Sequence, residues 1–129
     1  MNPITIIKIG GKLLDEDAKL NQVIEAFTKI DTPKILVHGG GNKTSSLCRK
    51  LGIEPQLVDG RRITDFETME VATMVYAGLI NKKLVSRLQR YKCNAVGFSG
   101  ADGNLLLAEK RQVKDIRTLV MLGDICRVI

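Results

Sequence analysis

The chain has 129 residues, of which 44% are hydrophobic and 26% are charged, and its formal net charge is +6. This composition is typical of a single globular domain with its own core. Because no apolar run could span a membrane and the first residues lack the features of a signal peptide, we expect no membrane association and a cytoplasmic location. The three cysteines, Cys48, Cys93 and Cys126, are too widely spaced to predict a disulfide framework or a zinc site.

The positive charge is concentrated in one part of the chain. Residues 71–101 contain no Asp or Glu, whereas five Lys or Arg residues occur between positions 82 and 92. Such a run is more typical of the solvated face of a helix than of a nucleic-acid site. Aromatic residues make up only 4% of the chain, and Tyr91 is the one aromatic residue within the run, so binding to nucleic acid is not expected.

Two strands and two helices are predicted in the first part of the chain. Residues 4–9 and 34–38 are short, nearly continuous apolar segments, which is typical of buried strands. Asn42 is predicted to cap a helix that runs up to Gly52. Between the two strands, residues 16–30 have the period of an amphipathic helix whose apolar face consists of Leu20, Val23, Ile24 and Phe27.

A long helix is predicted in the second part of the chain. Thr64 and Glu67 have the spacing of a capping box, and an apolar stripe continues from there to about residue 91. Gly78 makes a break or kink midway possible. The stripe consists of Met69, Ala72, Tyr76, Leu79, Leu84 and Leu88.

Strands that alternate with helices predict the fold class, an α/β domain with a mainly parallel sheet sandwiched by helices. Residues 94–99 would add a strand, and residues 105–109 and 112–114 a hairpin. In such sheets, ligands bind beyond the carboxyl ends of the strands. Three glycine clusters follow predicted strands, so we expect them to converge on one edge of the sheet. They begin at Gly10, Gly39 and Gly97.

The glycine clusters suit a phosphate chain, because glycine lets backbone N–H groups approach a ligand and a following helix start adds partial positive charge. Lys8 and Lys12 flank the first cluster and would supply full charge. The alternative is that each cluster is only a tight turn that the fold requires. No segment fits the P-loop pattern, and Thr44 stands where the dinucleotide-binding fingerprint has its third glycine.

A serine hydrolase is a further alternative. The "HGGG" at residues 38–41 resembles an oxyanion-hole motif, and the "GFSGA" at residues 97–101 approximates a nucleophile elbow around Ser99. The catalytic triad of that motif needs a histidine after the serine, but the only histidine, His38, precedes it. The chain alone therefore does not complete a triad, and we interpret Ser99 and the cysteines as structural.

Five motifs closely resemble the N-terminal half of the acetylglutamate kinases, which are members of the amino acid kinase family. In chain order, they are "IIKIGGKLL", "ILVHGGGN", "DGRRIT", "NKKLVSRL" and "AVGFSGADGNLL". "KIGG" alone is typical of the whole superfamily, whereas "HGGG" together with "GRRIT" and "GFSGADG" is far more specific. The likeness covers residues 4–115, after which the sequence "RTLVMLGDICRVI" departs from the family pattern.

The resemblance implies that the chain takes part in phosphoryl transfer from ATP with Mg²⁺. Lys8 matches the family lysine that stabilises the transferring phosphoryl group, and Gly10 and Gly11 match the glycines that approach the nucleotide phosphates. This agrees with the chemistry, because phosphoryl transfer requires positioning and preorganised positive charge more than covalent participation of the protein.

The resemblance also implies an acceptor, the side-chain carboxylate of an N-acylated glutamate. Gly40 and Gly41 match the backbone that contacts this substrate, and Arg62 matches the arginine that binds its α-carboxylate through a planar fork. Arg61 has no such counterpart and is interpreted as a solvated loop residue. The motifs do not distinguish N-acetylglutamate from N-succinylglutamate.

At the level of the whole molecule, the resemblance implies a single domain over residues 1–129, similar to the substrate-binding half of an amino acid kinase. The nucleotide-binding half of that family is absent from this sequence. The helix predicted over residues 64–91 corresponds to the homodimer interface of the family. A non-catalytic half-domain that dimerises or binds a ligand is the alternative to an acetylglutamate kinase.

Overall fold

The computed structural model of the chain describes residues 3–54, 57–58, 61–62, 64–110 and 123–128. Its strands are β1 (Thr5–Ile9), β2 (Lys34–His38), β3 (Leu57–Val58), β4 (Arg61–Arg62), β5 (Leu106–Lys110) and β6 (Gly123–Val128). Its α-helices are α1 (Asp17–Thr28), α2 (Gly41–Lys50), α3 (Phe66–Thr73) and α4 (Asn81–Arg90). A π-helical segment, Met74–Ile80, joins α3 to α4, and short 3₁₀ turns occur at Leu13–Asp15 and Asp102–Asn104.

The unit β1–α1–β2 is the frame of the first part of the chain. β1 and β2 pair in parallel along their whole length, as their apolar sequences predict. The Lys34 ammonium, at the start of β2, donates hydrogen bonds to the carbonyls of Thr28 and Ile30 at 3.0 and 2.6 Å, which satisfies backbone acceptors at the end of α1. The predicted apolar face of α1 is confirmed, with Leu20, Ile24 and Phe27 buried and Val23 half-buried.

The start of α2 differs from the prediction. The residue that precedes the helix is Gly40, and no side chain caps it. Asn42 lies inside the first turn, and its amide donates a hydrogen bond to the Asp15 carboxylate at 3.4 Å. Asn42 is therefore not the cap, because its side chain is directed to a neighbouring turn. At the other end, Gly52 has a φ of 77°, as the predicted left-handed stop requires.

A continuous helical region extends from α3 through the π-helical segment to α4, and Gly78 lies inside the π-helical segment. The Asp65 carboxylate caps the region by accepting a hydrogen bond from the backbone N–H of Thr68 at 2.8 Å. Hydrogen bonds from Thr68 lower the pKa of the Asp65 carboxyl. The cap predicted from Thr64 and Glu67 is wrong by one position, because aspartate caps at least as well as threonine and its charge suits the positive end of the helix dipole.

The π-helical segment changes which residues of this region face the core. A π turn holds more residues than an α turn, so the apolar face rotates as the chain passes through it. The buried face passes from Val75 to Ile80, and both Leu79 and Met69 of the predicted stripe are exposed. The prediction was wrong at Leu79 because it assumed a constant α-helical period through the π-helical segment. Met69 lies before that segment, in α3, whose buried residues are Thr68, Val71 and Ala72. The stripe members that are buried are Ala72, Leu84 and Leu88.

Residues 94–99 do not form the predicted strand, although their burial alternates as in an extended chain. Their carbonyl groups accept hydrogen bonds from side chains of α4 instead of from a neighbouring strand. The pairs are Gln89 with the carbonyl of Ala95 at 3.1 Å, Lys82 with that of Gly97 at 3.1 Å, and Asn81 with that of Phe98 at 3.2 Å. The segment is thus attached to a helix rather than to a described sheet.

The described residues also form two antiparallel strand pairs, which are separate from the parallel pair. In the first, Leu57 of β3 lies opposite Arg62 of β4. In the second, β5 pairs with β6, from Leu106 opposite Val128 to Lys110 opposite Gly123. The partner predicted for β5, residues 112–114, lies outside the described residues, and the partner that the structure gives to β5 is β6.

The core lies on one side of the parallel pair. Ile9 is buried there, and Ile7 and Leu36 pack against the same cluster of buried residues from the helices. Helices combined with a parallel strand pair confirm the predicted α/β class. Within the described ranges, no helix is both long and apolar enough to cross a membrane. The opposite side of the pair carries the exposed residues Ile4, Ile6, Ile35 and Val37.

Candidate functional site

The candidate site is the edge where β1 and β2 end side by side. Ile9 of β1 lies opposite His38 of β2, so the glycines that follow the two strands begin at the same level. Lys8 is the last residue but one of β1 and is exposed. The structure therefore brings the loop after Lys8, which contains Gly10 and Gly11, to the edge at which Gly40 and Gly41 start α2. This convergence was predicted from the parallel order of the strands.

The glycines at this edge fall into two structural classes. A Cβ atom at Gly10, Gly11 or Gly39 would meet no heavy atom of the described residues within 4 Å. These three glycines thus leave the backbone open to something outside the described part of the chain. Open space beside backbone N–H groups, with Lys8 nearby, fits the phosphate chain that the sequence suggested.

Gly40 belongs to the other class, because it is required by packing. A Cβ atom there would lie 2.3 Å from Cδ1 of Ile80 and 2.7 Å from Cε1 of Tyr76, both in the π-helical segment. The carbonyl of Gly40 accepts hydrogen bonds from the backbone N–H and the hydroxyl of Thr44, at 3.0 and 3.2 Å. Thr44 is fully buried, so its place in the sequence, where a fingerprint glycine would stand, has a structural reason.

The second and third glycine clusters contact neighbouring residues of the helical region, at the boundary between the π-helical segment and α4. Ile80, the last residue of the π-helical segment, contacts Gly40. Its neighbour Asn81 contacts Gly97, where a Cβ atom would lie 2.0 Å from Oδ1 of Asn81. Gly40 and Gly97 thus flank two consecutive helical residues, and neither position has room for a side chain.

Asp15 links the two loops at the sheet edge. Its carboxylate forms an ion pair with the ammonium of Lys43 at 2.9 Å and accepts the weaker hydrogen bond from Asn42. The hydrogen bond from Lys43 is the main cause of a lowered pKa of the Asp15 carboxyl. Because Asp15 follows the first glycine loop and Lys43 lies in the first turn of α2, the ion pair connects the two loops.

The hydrolase alternative finds no support in the geometry around Ser99. The hydroxyl of Ser99 donates a hydrogen bond to the Asp102 carboxylate at 2.7 Å, and the backbone N–H of Ser99 donates to the same oxygen at 2.5 Å. These bonds lower the pKa of the Asp102 carboxyl and use the hydroxyl within its own turn. His38 contacts the carbonyl of Gly39 through Nδ1 at 3.0 Å, as an orienting residue at a strand end would.

Two of the basic residues in the 82–92 run have partners within the chain. Lys82 donates a hydrogen bond to the Gly97 carbonyl. Arg87 forms an ion pair with Asp17 and donates a hydrogen bond to Asn21 at 2.7 Å. These contacts join α4 to α1 and to the third glycine cluster, which agrees with a structural interpretation of the run.

The structure gives the backbone position of Arg62. It lies in β4, opposite Leu57 of β3, and Arg61 lies opposite Val58. The sequence analysis interpreted Arg61 as a loop residue, whereas both arginines lie in a strand of a short antiparallel pair. The signal that predicts this hairpin is the Asp59–Gly60 pair between two short segments, a combination typical of two-residue turns.

A family comparison agrees with the fold and the sheet edge described above. The model of the amino acid kinase family matches residues 3–125. The chain belongs to the amino acid kinase family. Similar curated proteins are the acetylglutamate kinases of Phocaeicola vulgatus, 49% identical over 125 residues, and Cytophaga hutchinsonii, 46% identical over 128 residues. They align with 97% and 99% of this chain but with 48% of their own length, so the chain spans about half the length of the curated relatives it matches.

A solved structure shows the same fold. The protein smu.665 from Streptococcus mutans UA159 matches this chain with a TM-score of 0.78 and 20% sequence identity. The match covers 98% of this chain and 51% of that protein. In each of these comparisons, the chain spans about half the length of the protein that it matches.

Two residues that shape the candidate site were not found by sequence reasoning. Asp15 and Asn81 are positioned by contacts with residues far away in the chain, which no local sequence pattern indicates. Thr44 was noted only because it replaces a fingerprint glycine, and the structure adds its hydrogen bond to the Gly40 carbonyl. Among the described side chains, no group of three or more His, Cys, Asp or Glu residues is arranged to hold a metal ion.

Proposed function

We propose that this chain forms the part of an acetylglutamate kinase that binds the acylated amino acid and approaches the transferring phosphoryl group. The observation that carries the proposal is the sheet edge where the open glycines Gly10, Gly11 and Gly39 lie beside Lys8. The relatives named acetylglutamate kinase, 46–49% identical over nearly the whole chain, support the choice of reaction within the family.

In the proposed reaction, an oxygen of the side-chain carboxylate of N-acetylglutamate attacks the γ-phosphorus of ATP. A new P–O bond forms, the bond to the β,γ-bridging oxygen breaks, and ADP leaves with the electron pair of that bond. Lys8 would stabilise the negative charge on the transferring group, and the N–H groups of Gly10 and Gly11 would hold the phosphates. Mg²⁺ would enter with ATP and neutralise phosphate charge.

The acceptor would lie on the β2 side of the same edge. Backbone groups of Gly40 and Gly41, at the start of α2, would contact the acylated amino acid. Arg62 would bind its α-carboxylate with two parallel hydrogen bonds. The proposal includes a cytoplasmic protein whose residues 1–129 form one domain, with the nucleotide-binding half in the part of the relatives that this chain does not span.

The proposal is tested by calorimetric titration with N-acetylglutamate. We expect Arg62→Lys to weaken binding by about 1–3 kcal/mol, because the substitution keeps the charge but removes the planar fork. Arg61→Lys is the matched control and should change binding little. Glutamate without the acyl group should bind more weakly than N-acetylglutamate to the parent chain.

Each result has a defined meaning. If Arg61→Lys weakens binding and Arg62→Lys does not, the assignment is displaced by one residue. If neither substitution changes binding, Arg62 does not bind the α-carboxylate and the proposed acceptor site is wrong. If N-succinylglutamate binds with the same affinity as N-acetylglutamate, the site does not require the acyl group to be acetyl.

A further inference from the structure

One face of the parallel strand pair is apolar and uncovered. Side chains alternate along a strand, so Ile4, Ile6 and Lys8 of β1 and its preceding residue share one face, and Ile35 and Val37 of β2 lie on it too. Ile6 is 65% exposed and Ile35 is 49% exposed, although both lie in the middle of paired strands. The alternate residues, Ile7 and Leu36, pack against the core.

The segment 94–99 exposes two further apolar side chains on the side away from the helices. Gly97 packs against Asn81 and Val85 of α4, so its neighbours Val96 and Phe98 point away from the helix. Val96 is 73% exposed and Phe98 is 62% exposed. We define the bare face as the residues Ile4, Ile6, Ile35, Val37, Val96 and Phe98.

An uncovered apolar face of a parallel strand pair is expected to bind another polypeptide segment. Parallel sheets are almost always covered on both faces, and monomeric proteins rarely expose a contiguous patch of large apolar side chains. The helices α1 and α4 cover the side opposite the bare face. Something of matching apolar character is therefore expected on the bare face.

The length of the relatives indicates which polypeptide covers the bare face. The chain matches 48% of the Phocaeicola vulgatus acetylglutamate kinase and nearly all of this chain is used in that match. We propose that the bare face binds the polypeptide that corresponds to the remaining half of such relatives, whether it is joined to this chain or separate. We call this polypeptide the complement.

Charge argues against a second copy of this chain as the occupant. Lys8 lies on the bare face, so two copies packed face to face would bring two lysines into one interface. A different polypeptide can cover the apolar part and leave the Lys8 ammonium at the rim, where the glycine loops begin.

The test is co-expression of the tagged 129-residue chain with the complement of the Phocaeicola vulgatus enzyme, followed by affinity purification and sedimentation. We expect a complex with equal numbers of the two polypeptides. Ile35→Lys and Val96→Lys should each reduce the recovered complement about tenfold, because binding would bury an unpaired ammonium. The control is Leu51→Lys, which changes an apolar residue of similar exposure, 57%, at the end of α2.

The lone chain supplies a second readout. Both bare-face residues are exposed, so the two substitutions should leave its thermal midpoint within about 2 °C of the parent value. They should also lower the fluorescence of bound 1-anilinonaphthalene-8-sulfonate, whereas Leu51→Lys should not. Failure of the parent chain to recover any complement would overturn the proposal. So would unchanged recovery by both lysine variants, or self-association of the chain that Ile35→Lys abolishes.

This inference depends on family membership and the bare face, not on the substrate. Complement binding that persists while Arg62→Lys leaves N-acetylglutamate binding unchanged would refute the acceptor assignment alone. Normal N-acetylglutamate binding with no complement recovered would refute the docking proposal alone.

Discussion

Gly39 and Gly40 are neighbours at the sheet edge, but a methyl group would meet different surroundings at each. At Gly40, it would collide with Ile80 and Tyr76, and at Gly39 it would enter open space. We expect Gly40→Ala to lower the free energy of unfolding by about 1–3 kcal/mol, the usual cost of overpacking.

Gly39→Ala is the matched control and should be neutral or stabilising by up to about 1 kcal/mol, because alanine reduces the entropy of the unfolded chain. Urea unfolding of both variants measures the difference. Equal unfolding midpoints would mean that the π-helical segment yields to a side chain at Gly40, and the packing reason for this glycine would then be withdrawn.

A second test at the residue scale concerns the cap of α3. Asp65→Ala removes the acceptor of the Thr68 N–H and should cost about 1 kcal/mol of stability. Glu67→Ala, which belongs to the cap that the sequence suggested, should cost less than about 0.5 kcal/mol. A larger loss for Glu67→Ala than for Asp65→Ala would favour the cap predicted from the sequence.

The same cap has a defined pH dependence. The folded state lowers the pKa of Asp65, so its contribution is complete above the pKa of the unfolded chain and is lost as the pH falls below about 4. The difference in unfolding free energy between parent and Asp65→Ala should therefore be largest near neutral pH and shrink at acid pH. The contribution is small because Asp65 is exposed to solvent.

At the scale of elements, the π-helical segment decides which apolar residues form the core. Ile80 is 3% exposed and Leu79 is 44% exposed, although a constant α-helical period favoured Leu79 as the core residue. We expect Ile80→Ala to destabilise the chain by about 2–4 kcal/mol through the cavity that it leaves. Leu79→Ala should cost less than about 1 kcal/mol at concentrations where the chain is a monomer.

Chemical unfolding of the two variants side by side measures this prediction. A reversal, in which Leu79→Ala is the more damaging substitution, would mean that the helical region keeps the α-helical register in solution. Helix propensity cannot explain a larger loss at Ile80, because replacing β-branched isoleucine by alanine raises helix propensity more than replacing leucine does.

The elements also show what the sequence could and could not predict. β1, β2 and the buried face of α1 were predicted because their signals are local runs and periods, and the glycines after the strands follow from strand order. The prediction of a strand at residues 94–99 was wrong because carbonyls of this segment accept hydrogen bonds from side chains of α4. The apolar pattern of these six residues does not indicate that their hydrogen-bond partners lie in a helix.

The candidate site was predictable to the same degree. The meeting of Lys8 with the two glycine loops follows from the topology of parallel strands. The packing role of Gly40 and the link through Asp15 were not predictable, because each depends on a contact between segments far apart in the chain. The role expected of Arg62 rests on the resemblance, and the structure adds its place in a short antiparallel strand pair.

At the scale of the whole molecule, exposed apolar residues in the described part of the chain include two groups that predict different assemblies. The bare face carries the complement proposed above. The second surface, which we call the outer helical face, consists of Phe66, Met69, Met74 and Leu79. It replaces part of the predicted dimer stripe, since Ala72, Leu84 and Leu88 of that stripe are buried within the chain.

We propose that the outer helical face forms a homodimer contact, as the resemblance of this helical region implied. Phe66 is 67% exposed and Met74 is 59% exposed, so two large apolar side chains would be removed from water by self-association. Each copy carries a net charge of +6, so higher salt should strengthen the dimer by screening the repulsion between copies.

The measurement is sedimentation equilibrium over a range of protein and salt concentrations. Met74→Lys should shift the chain to monomer, whereas Ile35→Lys on the bare face should leave the dimer intact. A chain that stays monomeric at high concentration in high salt would contradict the contact, and a dimer that survives Met74→Lys but not Ile35→Lys would place self-association on the bare face.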